Sequence, residues 1–354
     1  KQVDCLEASA GDIILIAGLE DVQIGETVAS GTDPEALPAI AIDEPTMSMV
    51  FSVNNSPFAG KEGKFVTSRH LRDRVYKEAL ANPTLKIADT ESPDAFKVSG
   101  RGELHLGILI ETMRREGYEF QVSRPQVIFK QIDGKLQEPY ENLVVDVPNN
   151  CVGVAMEKLG GRKGEMKNMT PLSEVTTRIE FHIPSRCLMG FRTEFLTDTK
   201  GEGIMHHVFG GYGEYKGDIP GRGRGVLVAF EHGVTAAYGM FQLSDRGKFF
   251  INPRLEVYEG MIVGEHTREN DIAVNPCKTK HLSNMRSKSS DEALTLEPPT
   301  IFSLEQCLEY IQDDELLEVT PLNLRMRKKI LNNDQRMKME KSGGKSNPRA
   351  TVNN

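Results

Sequence analysis

Two stretches of this 354-residue sequence carry residue types that could do chemistry. The first is Gly60-Lys61-Glu62-Gly63-Lys64-Phe65, a glycine- and lysine-rich run of the kind that cradles phosphates. It fails the G-x-x-x-x-G-K-[ST] pattern, because its glycines stand too close and Phe65 replaces the hydroxyl that would hold Mg²⁺. No N-K-x-D run accompanies it. The loop therefore reads as flexible, basic and surface-exposed. The second stretch is NPCKTKHLSNMRSKSS, Asn275 to Ser290. It holds Lys278, Lys280, Arg286 and Lys288 with no acidic residue, and His281, Ser283, Asn284 and Ser287 add hydrogen-bonding groups. Such a loop suits phosphate and ribose contacts, with a solvated loop as the plain alternative. Two smaller clusters join it as RNA-binding candidates. Arg222 and Arg224 lie in PGRGRG, expected to be a mobile loop; Arg325, Arg327, Lys328 and Lys329 lie beside Asp313, Asp314 and Glu315, where a local salt-bridge network competes equally. Arg186 and Arg192 flank a predicted helix, and Arg186 sits near its N-terminus, an unfavourable place for a cation unless it serves an outside anion.

No catalytic or metal constellation is expected. His206 and His207 are adjacent and so face opposite sides of a strand, with His182 as a candidate cross-sheet neighbour but no further ligand spaced to complete a site. Cys5, Cys151, Cys187, Cys277 and Cys307 form no C-x-x-C pair, which fits a reducing cytoplasm. Cys151, Cys187 and Cys307 have apolar surroundings that read as core. The G-x-S-x-G nucleophile elbow is absent from the sequence. Apolar residues make up 38% and charged residues 27%, as in globular proteins. No apolar run nears the ~20 residues that span a bilayer. The net charge of -8 argues against nucleic acid as a whole, so local basic patches must carry any such contact. A monomer without membrane contact is expected.

The elements that position these residues centre on SGRGELHLGILIETMRREG, Ser99 to Gly117. Gly100 and Gly102 form a tight turn, and Leu106, Leu109, Ile110 and Met113 recur at helical spacing as one buried face. Glu103 falls in the first turn, where a carboxylate suits the helix dipole. Residues 44–124 read as β-α-β-β-α-β, a ferredoxin-like unit, with Thr67 or Ser68 capping its first helix. The same order recurs over 138–209, with Ser185 capping a helix that runs through Phe195. Residues 1–38 read as the end of a domain whose beginning is missing, with a strand at Ile13–Ala17, as though cut from a longer chain, and their pattern resembles the last strands of a β-barrel. Residues 210–340 read as mostly β, with short strands including Ala236–Leu243 and Ala293–Leu296 and a helix capped by Ser303. Residues 341–354 read as a disordered tail. The expected fold class is thus α+β and multidomain: the end of a β-barrel, two ferredoxin-like (βαββαβ) domains and a mostly β C-terminal domain.

The Ser99–Gly117 run, followed by the SRP of Ser123–Pro125, closely resembles the third domain of the BipA/TypA translational GTPases. DEPTMSMVF, SPFAGKEGKFVTSR, IPSRCLMGFRTEF, EVYEGMIVG and DDELLEVTPLNLRMRKKIL also look like that family, and the last two separate the chain from elongation factor G and LepA. The resemblance covers nearly the whole chain. It implies the C-terminal portion of a ribosome-associated factor, with GTP and Mg bound by a G domain upstream of Lys1, so this chain alone is not expected to hydrolyse GTP. It further implies the ribosome as partner, through large-subunit rRNA, the A-site region and the acceptor end of tRNA. Roles in ribosome assembly, stress adaptation and virulence regulation, in a bacterial-type cytoplasm, belong to the same implication. The alternative is a stand-alone ligand-sensing module built on paired ferredoxin-like domains; an independent enzyme has no catalytic constellation behind it.

Overall fold

The structure, a computed structural model, describes residues 5, 7–18, 22, 24–29, 35–38, 44–218, 221–279 and 296–341. The first unit runs β1 (Met47–Val53), α1 (Ser68–Ala81), β2 (Lys86–Asp89), β3 (Ala95–Gly100), α2 (Glu103–Arg115) and β4 (Phe120–Val122). Its strands lie antiparallel in the order β4-β1-β3-β2, the ferredoxin-like arrangement. Alternation along β1 sends Met47, Met49 and Phe51 into a core shared with Leu71 and Val75 of α1. The Thr67 hydroxyl accepts from the His70 amide at 3.3 Å and caps α1. The apolar stripe of α2 is buried as its spacing predicts: Leu106, Leu109, Ile110 and Met113 all lie in the same core.

The second unit repeats the order. It comprises β5 (Gln126–Val127), β6 (Lys130–Ile132), β7 (Lys135–Pro148), α3 (Val152–Gly161), β8 (Glu165–Pro171), β9 (Thr176–Pro184), α4 (Ser185–Leu188), α5 (Phe191–Asp198) and β10 (Ile204–Glu214). The order β10-β7-β9-β8 matches that of the first sheet, with β6 added on β7 and β5 paired back onto β1. The single helix expected from Ser185 to Phe195 is instead two. Gly190 takes φ 73° between them, a left-handed conformation that ends α4 and redirects the chain into α5.

The third segment holds β11 (Val226–Ala229), β12 (Gly233–Val234), α6 (Ala237–Phe241), β13 (Gly247–Phe249), β14 (Glu256–Val257), β15 (Ile262–His266), β16 (Ile272–Val274), α7 (Leu304–Tyr310), β17 (Glu315–Val319), β18 (Leu324–Lys328) and α8 (Asn333–Lys341). β13-β15-β11-β16 form one sheet and β12-β14 a small ribbon. Ser303 caps α7 with a full capping box to Gln306. The strand expected at Ala236–Leu243 is the short helix α6, whose Gly239 and Met240 are buried; a short apolar run does not distinguish helix from strand by periodicity. Of Ala293–Leu296 only Leu296 is described, and it lies outside any strand. β17 and β18 leave this segment's own sheet. β17 pairs antiparallel with β4, Leu317 opposite Val122 and Val319 opposite Phe120, and β18 follows it. The edge of the first ferredoxin-like sheet is therefore extended by the C-terminal part of the chain, and the two share one core containing Val226, Ile262, Leu308 and Leu317.

The strand expected at Ile13–Ala17 is not formed. Its residues are described, but Ile13 and Leu15 stand in solvent and no backbone ladder reaches them. A strand needs a neighbour for its peptide groups, and none among the described residues lies alongside. Of the tail, Lys341 ends α8 and residues 342–354 fall outside the described residues.

α7 packs across α2, and this packing overturns the expectation for Glu103. Its Oε1 is buried without a hydrogen-bond partner. Burial, reinforced by Glu309 and Glu305 of α7 and opposed by Arg124 and His207, pushes this carboxyl up to about 7. Desolvation thus outweighs the favourable helix dipole. Because the folded-state value lies above the ordinary 4.5, the stability Glu103 contributes is complete below about pH 4.5 and is lost as pH rises through about 7. Glu103→Gln, which cannot ionise, is expected to match the parent at pH 5 and to exceed it by roughly 1–3 kcal/mol at pH 8 in urea unfolding; equal stability at both values would show that Glu103 does not retain its proton. Leu109→Ala is expected to lower stability by about 2–5 kcal/mol, and an unchanged midpoint would refute the assigned face.

Candidate nucleic-acid interface

The glycine-rich run at residues 60–65 is a true anion cradle, and the chain itself fills it. The amides of Gly60 and Gly63 donate to the Glu119 carboxylate at 2.7 and 2.8 Å, the Glu62 amide adds a bond at 3.3 Å, and Asn54 Nδ2 donates at 2.9 Å. A Cβ at Gly63 would stand 2.2 Å from the Glu119 Cβ, so only glycine permits the approach. The expected flexible surface loop is therefore corrected to a fixed one. Glu62 accepts from Asn323 Nδ2 at 3.0 Å and from Thr320 and Arg325. Burial alone would raise the Glu62 carboxyl, but these bonds outweigh it and hold it below the usual range.

The basic residues of the C-terminal strands continue this network. Arg325 bridges Glu62 and Glu318, the second at 3.2 Å. The fully buried Glu318 also accepts from Asn54 Nδ2 at 2.9 Å, Ser56 Oγ at 3.0 Å and Tyr258 OH at 2.8 Å. Arg327 is 1% exposed and donates to Asn55, Gln121 and the Lys328 carbonyl, while its Nε has no partner. Lys328 Nζ lies 2.5 Å from Asp271, 2.7 Å from Asp314 and 2.9 Å from Glu315. Burial opposes its charge, yet the three carboxylates keep its pKa above the usual lysine value. Those carboxylates lie close enough together to ligate a metal, but the ammonium already stands among them. Arg222 bonds Glu315 at 3.0 Å and the Tyr310 carbonyl at 3.0 Å.

The expectation that Arg222, Arg325, Arg327 and Lys328 face RNA is thus corrected. Arg222, Arg325 and Lys328 meet carboxylates inside the fold, the outcome that the competing salt-bridge reading gave for Arg325 and Lys328, whereas the buried Arg327 meets only neutral oxygens. Arg186 likewise serves an inside anion, pairing with the fully buried Glu138 and donating to the Gly217 carbonyl at 2.6 Å. Among the other candidates, Arg224 is exposed beside Glu265 at 3.1 Å, and Lys329 is exposed against the Asp313 carbonyl. Lys278 is exposed on a stem whose Asn275 Nδ2 donates to Glu231 at 2.7 Å. Lys280, His281, Asn284, Arg286 and Lys288 lie outside the described residues. The buried carboxylates Glu119, Glu138 and Glu318 were not anticipated; their signal is an acidic residue inside an otherwise apolar run, as in ELLEV.

His182 is not the cross-strand neighbour of His206 and His207, since β7 lies between β9 and β10. His182 bonds Asn142 at 3.0 Å and stacks on Tyr140, and burial lowers its pKa. His207 pairs with Glu141, which raises its pKa. Burial pushes the Cys187 thiol up to about 11 and Cys307 up to about 12, values that suppress the thiolate. An apolar cavity of about 70 Å³, lined by Phe250, Ile262, Phe302, Cys307 and Met326, is far smaller than the ~300–1,000 Å³ of small-molecule sites. Lys328→Met should take the shared ammonium from Asp271, Asp314 and Glu315, leaving Glu315 to Arg222 alone, and cost about 3–5 kcal/mol in urea unfolding, whereas Lys278→Met should stay within about 0.5 kcal/mol. Equal effects would refute the division between internal and outward cations.

Residues 135–222 match the family model described as the elongation factor G C-terminus, and residues 224–333 match the TypA/BipA C-terminal domain. Three proteins named large ribosomal subunit assembly factor BipA are similar over most of the chain. Identity is 54% for that of Synechocystis, 51% for Salmonella typhimurium and 50% for Bacillus subtilis, over 93%, 95% and 96% of this chain. The chain spans 55–56% of the length of these relatives. The two domain matches follow the observed fold, the first covering the second ferredoxin-like sheet and the second covering the segment from β11 through β18. With the identity extending through the first sheet as well, the chain belongs to the TypA/BipA family.

Proposed function

We propose that this chain is the ribosome-docking portion of a GTP-dependent factor acting in assembly of the large ribosomal subunit. The observation that carries the reading is the 50–54% identity, over nearly all of the chain, to proteins named large ribosomal subunit assembly factor. The chemistry here is recognition. Two ferredoxin-like sheets and the C-terminal segment hold an acid-free basic run, Asn275–Ser290, whose stem emerges beside α6. Because Arg325, Arg327 and Lys328 of β18 are held inside the fold, that run is the strongest candidate for large-subunit rRNA, with the A-site region and the acceptor end of tRNA as the finer assignment. Arg224 and Lys329 are secondary candidates on the surface. GTP and Mg would belong to a G domain elsewhere in the complete factor, and the setting would be the cytoplasm. Among the described residues no helix is long and apolar enough to cross a membrane.

Co-sedimentation with purified ribosomes across a salt series tests the reading. Binding should fall steeply with salt, and Lys280→Glu with Arg286→Glu should weaken it and flatten the salt slope by roughly one unit for each phosphate no longer neutralised. The same variant should melt at the parent temperature. Sedimentation unchanged by the two reversals would remove the basic run from the interface.

A further inference from the structure

We propose that Tyr238 and Phe241 form a stacking platform for an unpaired RNA base at the root of the basic run. The inference rests on the reading that this run binds RNA, and it specifies the chemical group taken there. α6 lies directly on the stem leading into the run. The Ala236 amide donates to the Pro276 carbonyl at 2.9 Å. A Cβ at Gly239 would stand 2.7 Å from the Pro276 oxygen and 2.9 Å from the Lys278 oxygen, so glycine is what allows helix and stem to touch. Gly239 and Met240 form the buried side of the helix. Tyr238 and Phe241, at i and i+3, are neighbours on its surface.

Phe241 is 42% exposed, and Tyr238 is half-buried with its hydroxyl accepting from Gln242 Nε2 at 2.7 Å. Phe230 of this segment is also exposed, at 51%, but other rings pair with one another. Phe250, Phe302 and Tyr310 pack on one another, and Phe58 packs on Tyr258. Among the described residues Tyr238 and Phe241 show no such ring contact. Lys278 is exposed on the same stem. Exposed π-faces beside lysine charge are the combination by which single-stranded nucleic acids are held, with bases stacked on rings and phosphates met by cations. A duplex keeps its base faces stacked internally, so the group that fits is a base already unpaired.

The test uses the full chain and a short single-stranded RNA carrying 2-aminopurine, whose fluorescence is quenched on stacking. The parent is expected to bind with quenching. Tyr238→Leu with Phe241→Leu, which keeps apolar volume without a π-face, should lose the quenching and weaken affinity roughly tenfold or more at an unchanged melting temperature. Tyr238→Phe should retain both, and a blunt duplex of the same sequence should bind without quenching. Should the leucine pair lower the melting temperature, Phe241→Leu alone is read in its place and should lose part of the quenching. If a folded leucine variant keeps parental affinity and quenching while Lys280→Glu with Arg286→Glu abolishes binding, the platform is wrong and the RNA reading stands. If the parent binds no RNA at any salt, both fall together.

Discussion

A carboxylate withdrawn from water must be met by donors on every side, and the structure of this chain turns on how Glu318 and Glu119 meet that demand. The two side chains accept bonds from Asn54, Ser56, Tyr258, Arg325 and the amides of the Gly60–Gly63 loop. These donors come from sequence-distant segments, so the network forms only when β17 lies against β4 and the loop folds over both. The ion pairs are conditional upon one another: Arg325 needs Glu62 and Glu318, and Lys328 needs Asp271, Asp314 and Glu315. Apolar contacts in the shared core supply attraction without direction. The polar network supplies register, because a slipped strand would bury charges without partners.

Local pattern carried much of the fold. The α2 stripe, the Thr67 and Ser303 caps and both βαββαβ orders were legible because each depends on residues close in sequence. What failed depends on residues far apart. Nothing in LRMRK says that its arginines point into a sheet edge; only the position of Glu62, Gln121 and Glu318 in space decides it. Charge counting therefore left an ion-pair network and an RNA surface as equal readings of this cluster, and the structure bears out the ion pairs for Arg325 and Lys328. The α4–α5 break and α6 were missed for a different reason, since a single left-handed glycine or a five-residue helix leaves almost no periodic signal.

The same distinction organises the functional surface. A net charge of -8 and a cluster of buried arginines would together suggest little capacity for RNA. Once the internally held cations are set aside, many exposed cations remain spread over the described residues, and the stem at Lys278, held by α6 and by the Asn275–Glu231 bond, is set apart by the acid-free run that follows it in sequence. A rigid root of this kind lets a protein that is acidic overall present positive charge at one place, while repulsion elsewhere limits indiscriminate binding.

The pairing of β17 with β4 also bears on how the chain is made. Gln121 and Arg327 are 206 residues apart, so the sheet that begins at Met47 has an open edge until nearly the whole C-terminal segment has left the ribosome. At about 5–20 residues per second, that interval lasts on the order of ten seconds or more. During it the Phe120–Val122 edge offers unpaired peptide groups and the Glu119 carboxylate lacks the strand partners beside it. The first ferredoxin-like unit is thus a nascent intermediate rather than a finished domain. Synthesis, release and completion of its edge are coupled by topology alone.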